Sequence, residues 1–385
     1  MPGDPPERYL RVVVILPVLN ETTRIDDAVR FLSGMATEAG VEECVIVGTP
    51  RERDEAGRNP TLDAAVRATA TDPRFRVIEA DEPCWGKAHQ VNFGVRATTL
   101  TSSSEQTWFF LIDIDTRFNA SALLEARTQM QRGEAFIQQH SVFLADFATL
   151  PLTQKGHALY QSRWTLSHEI KNNTIAYRTG WYVSHIVGHG AYIQLSEFNA
   201  LGGLPQSTVS EDLHFGYYVV ASGRRIRSIR TLEMSDTPDT LSAAMAQQKT
   251  WAFGPLAYYK FRNLMKVEIP EEFAQNRLRS FIISMFGFAT CLNWIFLFPA
   301  LVSVFILAIL GTDFAIATLL TYYIELTAAC IFFRTRGWIR DVDVLTGPLL
   351  MVLHTFFRSL AAWRAVFQLF IGRPVTRLRT VNRAA

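Results

Sequence analysis

The sequence has little cysteine, little charge and no repeat. Its four cysteines, Cys44, Cys84, Cys291 and Cys330, form no CxxC pair and no disulfide ladder, which excludes a disulfide-stapled scaffold and fits a reducing compartment. Charged residues are 19% of the chain, below the usual quarter, and the shortfall falls mainly in the C-terminal third. Lys plus Arg number 38 against 36 Asp plus Glu, so no strong field points to nucleic acid. No secretory signal is visible, because MPGDPPERYL is polar and the apolar run after it is short. There is no internal repeat and no low-complexity tract.

Long apolar runs are present instead. Residues 281–310, FIISMFGFATCLNWIFLFPALVSVFILAIL, carry no charge and exceed the ~20 residues that span a bilayer. Residues 314–333 carry only Glu325, and Gly311, Thr312 and Asp313 part the two runs. The pattern predicts a transmembrane hairpin over 276–345, closed by the basic loop RTRGWIR, which marks the cytoplasmic side. Two crossings return the chain to its starting side, so the N-terminal domain is expected in the cytoplasm and the protein in the cytoplasmic (inner) membrane as a multi-pass protein. In 346–385, His354, Arg358, Arg364 and Gln368 share one arc of a helical wheel. This favours an interfacial amphipathic helix with a basic tail over a third span, in which Arg358 and Arg364 would line a bundle interior.

Residues 1–275 read as an α/β domain. The β-branched runs at 11–19, 43–48, 75–80 and 107–113 suit strands buried in a parallel sheet, with helices expected at 26–35 and 88–98. Ligands in such sheets collect beyond the carboxyl ends of strands, where PVLNE, GTPRERD and DIDT fall. Asp113 and Asp115 close the run FFLIDIDTRF two residues apart, so their carboxylates project to one side and can share a hard divalent cation. A solvated loop, or a helix cap by Asp115, would use the same residues.

Six segments in order, ILPVLNET, GKAHQVNFG, FFLIDIDTRF, GHGAYIQLSEFNALGGLP, SEDLHFGYYVVASGRRI and QQKTWAFGP, carry a resemblance to membrane-attached family 2 glycosyltransferases, the branch of cellulose, chitin and hyaluronan synthases and lipid-linked sugar transferases. The resemblance spans about 11–260. It implies a mixed, mainly parallel nucleotide-sugar-binding α/β sheet of the A type, flanked by helices, with Mg²⁺ or Mn²⁺ as cofactor and inversion at the anomeric carbon. It places Pro17, Asn20 and Glu21 beside the nucleotide, Lys87 on the diphosphate, and Asp113 and Asp115 on the metal, with Asp113 also in the donor site. Asp212 is then the base and Glu211 its support, with His214 as a competitor. His189 and Gly190 belong to an acceptor loop, and Gln247, Lys249 and Trp251 to a QxxRW-like segment. Trp85 and Trp251 are available to stack on sugar rings.

Two departures stand out. The base-recognising Asp expected after the second strand is missing, leaving Thr49, Glu52 or Asp54, and Thr250 replaces the motif arginine. The expected activity is transfer of one sugar from a nucleotide-sugar, a UDP-sugar favoured, to a lipid or lipid-linked glycan acceptor. A processive polysaccharide synthase and an inactive nucleotide-sugar- or lipid-binding scaffold are the alternatives.

Overall fold

The structure, a computed structural model, describes residues 10–81, 86–98, 103–270 and 276–372. The chain opens with β1 (Arg11–Pro17), α1 (Ile25–Ala39), β2 (Glu43–Gly48), α2 (Pro60–Thr69), β3 (Phe75–Glu79), α3 (Lys87–Arg96) and β4 (Thr107–Leu111). These strands pair in parallel in the order β3-β2-β1-β4. Both faces of the sheet are covered, so the strand sequences run apolar without polar alternation, yet their side chains still divide by twos. Val13 and Ile15 enter one core, and Val12, Val14 and Leu16 the other.

After α4 (Ala120–Gln131) come β5 (Phe136–Gln138), β6 (Ser141–Val142), α5 (Leu152–Trp164) and α6 (Ile170–Thr179), the last two joined by a π-helical turn at Thr165–Glu169. Then β7 (Ala191–Gln194), α7 (Leu195–Ala200), α8 (Glu211–Ala221), β8 (Arg227–Ser228) and β9 (Glu233–Met234) follow. β7 inserts antiparallel between β4 and β5, and β8 pairs with β5, so among the described residues the sheet has seven strands. A small second sheet pairs β6 with β9, Ser141 opposite Glu233.

The sequence predicted β1 to β4, α1 and α3 to within a few residues. It gave no sign of the antiparallel β7 beside β4, because strand order depends on contacts remote in sequence. Phe110 stacked flat on Tyr192, with ring centroids 3.9 Å apart, fixes that pairing.

The C-terminal part is helical: α9 (Leu241–Glu268), α10 (Arg277–Ile309), α11 (Asp313–Thr335) and α12 (Asp341–Phe370). By length and composition α10, α11 and α12 are each able to cross a membrane. α10 has 33 residues, about 50 Å at helical rise, which exceeds a hydrocarbon core of about 30 Å. Its first half also packs on the α/β domain, where the Tyr217 hydroxyl of α8 donates to the Ser280 carbonyl at 3.2 Å, and on α9, with Gly287 against the Tyr258 ring.

α12 differs from the expected interfacial helix in how it uses its basic arc. His354 and Arg358 turn inward rather than toward headgroups. The Arg358 guanidinium lies 3.9 Å from the Trp294 ring centroid and 4.3 Å from that of Trp164, and donates to the Tyr160 hydroxyl at 2.7 Å. Arg364 stays exposed, while Leu345, Leu349, Phe367 and Phe370 form the outer face. Lys155 of α5 pairs with Asp343 at 3.3 Å and Arg163 with Glu325 at 2.5 Å, tying the α/β domain to α12 and α11.

Candidate active site

The site lies beyond the carboxyl ends of β1, β2 and β4. Pro17 ends β1, and Val18 N still donates to Val47 O at 2.9 Å, so the chain leaves the sheet only at the next residues. Asn20 has φ of 58°, the one positive value among the described non-glycine residues, and Asn tolerates that left-handed conformation better than most residues. Its N–H donates to Glu52 Oε1 at 2.5 Å, and Glu21 N–H donates to Thr61 Oγ1 at 3.0 Å. Of the three replacements considered after β2, Glu52 is therefore the one that reaches this loop. Asp54 is occupied by Arg58 in an exposed turn, and Thr49 caps the short helix that follows it.

β4 hands the chain to Asp113, whose N–H donates to Thr116 Oγ1 at 3.0 Å while Thr116 N–H donates to the Asp113 carbonyl at 3.0 Å. This tight turn presents Asp113 and Asp115 from a rigid strand end. Lys87, the first residue of α3, ion-pairs with Asp113 and donates to the Gly188 carbonyl at 2.5 Å. A Cβ at Gly188 would sit 2.9 Å from Asp212 Oδ2 and 3.2 Å from Lys87 Nζ. Asp212 and Lys87, the latter ion-paired with Asp113, therefore approach each other around Gly188. At Gly190, φ is 71° and a Cβ would fall on the Gln139 carbonyl, so this neighbouring position calls for glycine.

Asp212 stands in the first turn of α8, where its Oδ1 accepts from Leu213 N–H at 2.7 Å and the helix end favours negative charge. Glu211 beside it is buried. His214, the competing candidate, is turned into the core. It is enclosed, stacked on Phe261 with centroids 4.1 Å apart, and burial pushes its imidazole down to about 3.

Carboxylates dominate the electrostatics. Burial raises Glu21 to about 7, partly offset by Arg24, with Asp115, Asp113 and Glu52 pushing in the same direction as burial. Burial also raises Asp115, followed by Asp113, against the attraction of His189 and Arg24. Among the described residues nothing hydrogen-bonds the Asp115 carboxylate. Glu21 and Asp115 resist ionisation beside the more exposed Asp113, and carboxylates so grouped are a donor set suited to a hard divalent cation. No group of three His, Cys, Asp or Glu surrounds one point among the described residues, so such an ion would also draw ligands from substrate oxygens and water.

Several contributors carried no sequence signal. Arg24 pairs with Asp236 at 2.9 Å. Burial would lower His189, but the ion pair with Glu233 overrides it and, with Asp113 helping, lifts the imidazole to about 9. Glu233 lies 44 residues from His189, and no local pattern joins them.

The QxxRW-like segment sits apart, on α9. Gln247 lies against His157, Trp251 packs edge-on against Phe143 with centroids 6.0 Å apart, and the Thr250 hydroxyl donates to the Ala246 carbonyl at 3.0 Å. Lys249 forms no ion pair among the described residues. One link to the site exists: Gly254 admits Ser210 and Leu213 of the Asp212 turn, where a Cβ would meet Leu213 Cδ2 at 2.5 Å. Trp85 lies outside the described residues.

A strand-end carboxylate pair, a helix-end lysine and a second acidic helix start gather at one end of a mixed α/β sheet. The family model described as "Glycosyl transferase family group 2" matches residues 108–339, and the chain belongs to that family. No curated protein sequence matches significantly. Among solved structures, the chain is similar in fold to the mannosyltransferase PcManGT from Pyrobaculum calidifontis, solved in complex with GDP-Man and Mn²⁺, at 17% identity and a TM-score of 0.50, over 93% of this chain and 87% of that one. Glucosyl-3-phosphoglycerate synthase from Mycobacterium tuberculosis, solved with Mn²⁺, UDP and phosphoglyceric acid, overlaps over 64% of this chain and 78% of its own, at 14% identity and a TM-score of 0.39.

Proposed function

We propose that the protein transfers a single sugar, with inversion, from a nucleotide-sugar to a lipid or lipid-linked glycan acceptor at the cytoplasmic face of the inner membrane. The observation that carries this reading is the approach of Asp212 to the Lys87–Asp113 ion pair around Gly188. It sets a metal-ligand carboxylate and a phosphate-binding cation against a carboxylate free to act as base. Pro17, Asn20, Glu21 and Glu52 border the nucleotide, and a UDP-sugar is the favoured donor. The loop of His189 and Gly190 adjoins the acceptor, and α9, which carries Gln247, Lys249 and Trp251, backs the Asp212 turn through Gly254. The domain up to residue 275 is the catalytic unit, 276–345 is the hairpin, and α12 fastens the two together.

In the reaction, Asp212 takes the proton of the acceptor hydroxyl as its oxygen attacks the anomeric carbon. The bond from that carbon to the diphosphate oxygen breaks on the opposite face, and the nucleoside diphosphate leaves. Mg²⁺ or Mn²⁺ held by Asp113 and Asp115 would supply charge neutralisation for the departing diphosphate. Lys87 meets the same anion from the α3 N-terminus, where amides and ammonium both favour phosphate. The exposed apolar faces of α10 and α11 hold the cleft beside the bilayer in which a lipid acceptor resides.

Replacing Asp212 with Asn tests the base. Turnover should fall by roughly 10²–10⁴-fold with donor binding unchanged. Unchanged turnover would remove Asp212 from that role.

A further inference from the structure

Ser141 and Glu233 stand opposite each other in the two-stranded β6–β9 sheet, so their side chains leave on the same side. The Ser141 hydroxyl donates to Glu233 and lies 3.2 Å from His189 Nδ1, and the Ser235 hydroxyl donates to Glu233 Oε1 at 3.2 Å. Nδ1 of His189 is itself ion-paired with Glu233 Oε1. The Glu233 side chain is 0% exposed and its Oε2 is enclosed without a partner. His189 is the cation that pairs with this buried carboxylate, and an unpaired buried charge is costly enough that the two are expected to hold each other ionised. The backbone is fixed as well: the His189 carbonyl accepts from Gln138 Nε2 at 2.9 Å, and Val187 N–H donates to Gln138 Oε1 at 3.0 Å.

The other ring nitrogen is different. The His189 side chain keeps 14% of its surface, and its Nε2 hydrogen-bonds to no described residue. The ring is close enough to Asp113, Asp115 and Lys87 to interact with each electrostatically. Lys87 is paired with Asp113 and Arg24 with Asp236, and the imidazolium Nε2–H adds a further cationic donor, held in place by a buried carboxylate.

We propose that Glu233, supported by Ser141, is a positioning residue that locks His189 with Nε2–H facing the cleft, where it donates a charge-assisted hydrogen bond to an oxygen of the donor's diphosphate. This rests on the nucleotide-sugar reading of the site. It assigns a function to a carboxylate and a serine outside the motifs, and it moves His189 from the acceptor to the leaving group.

The test is a double-mutant cycle on the full-length, detergent-purified protein, with inorganic pyrophosphate plus Mn²⁺ as the probe. His189→Gln and Glu233→Gln should each weaken pyrophosphate binding about tenfold, the scale of one charge-assisted hydrogen bond. The double variant should be no weaker than either single one, because both remove the same interaction. Glu233→Asp should restore part of the affinity, and melting temperatures identify any variant that does not fold. Additive losses, or an unaffected Glu233→Gln, would overturn the assignment. Because the probe carries neither base nor sugar, the cycle stands even if no nucleotide-sugar is turned over. Turnover with an additive cycle would sink this inference alone.

Discussion

Glu21 is a carboxylate that the folded protein keeps in an unfavourable place, and Glu21→Gln should expose the cost. Burial lifts Glu21 from 4.5 to about 7, with Arg24 opposing and Asp115, Asp113 and Glu52 reinforcing. Below pH 4.5 the group is neutral in both the folded and unfolded chains and contributes nothing to the difference. Between 4.5 and 7 the unfolded chain releases the proton while the folded one retains it, so stability falls as pH rises. Above 7 the penalty is constant, at most about 3 kcal/mol from the size of the displacement. Glutamine keeps the size and the backbone bond to Thr61 but cannot ionise. The variant should therefore match the wild type near pH 4 and melt higher at pH 8, by roughly 5–10 °C for a domain of this size. Adding Mn²⁺ should narrow the gap, because a dication beside Asp113 and Asp115 favours ionised Glu21. Thermal melts of the detergent-solubilised protein at the two pH values decide it. A variant no more stable at pH 8 than at pH 4, relative to wild type, would refute the electrostatic description of this cleft.

Asp115→Ala should abolish Mn²⁺-dependent nucleotide binding measured by calorimetry; binding that persists would remove the metal role. Gly190→Ala should destabilise by about 3 kcal/mol or more, since it combines a left-handed φ with a clash on the Gln139 carbonyl, and a melting shift near zero would contradict the loop geometry. For topology, Thr312→Cys at the hairpin tip should react with a membrane-impermeant maleimide in intact cells, while Arg336→Cys in the basic loop should react only after permeabilisation. The reverse pattern would place the catalytic domain on the other side.

Sequence and structure agree most closely where the physics is local. The β-branched runs at 11–17, 43–48, 75–79 and 107–111 became the parallel half of the sheet, and the acidic turn after β4 was readable because a strand end is a natural mount for Asp113 and Asp115. Less legible was whatever depends on pairs distant in the chain. His189 stands in the loop before β7 and Glu233 in the two-residue β9, a pairing no periodicity announces, and Arg24 finds Asp236 across 212 residues. α12 carried an ambiguous signal, since an inward cation–π cage and an interfacial basic face place the same residues on one arc. In the fold, the rings of Trp164 and Trp294 close over Arg358.

The proposed activity is nucleotide-sugar transfer that depends on a divalent ion and a membrane acceptor. Its most direct test is nucleotide release by the purified protein across UDP-, GDP- and dTDP-sugars, with and without Mn²⁺ or Mg²⁺ and a membrane lipid extract. Release is expected from one donor class, lost on chelation and stimulated by lipid. No release from any donor by folded protein would contradict it.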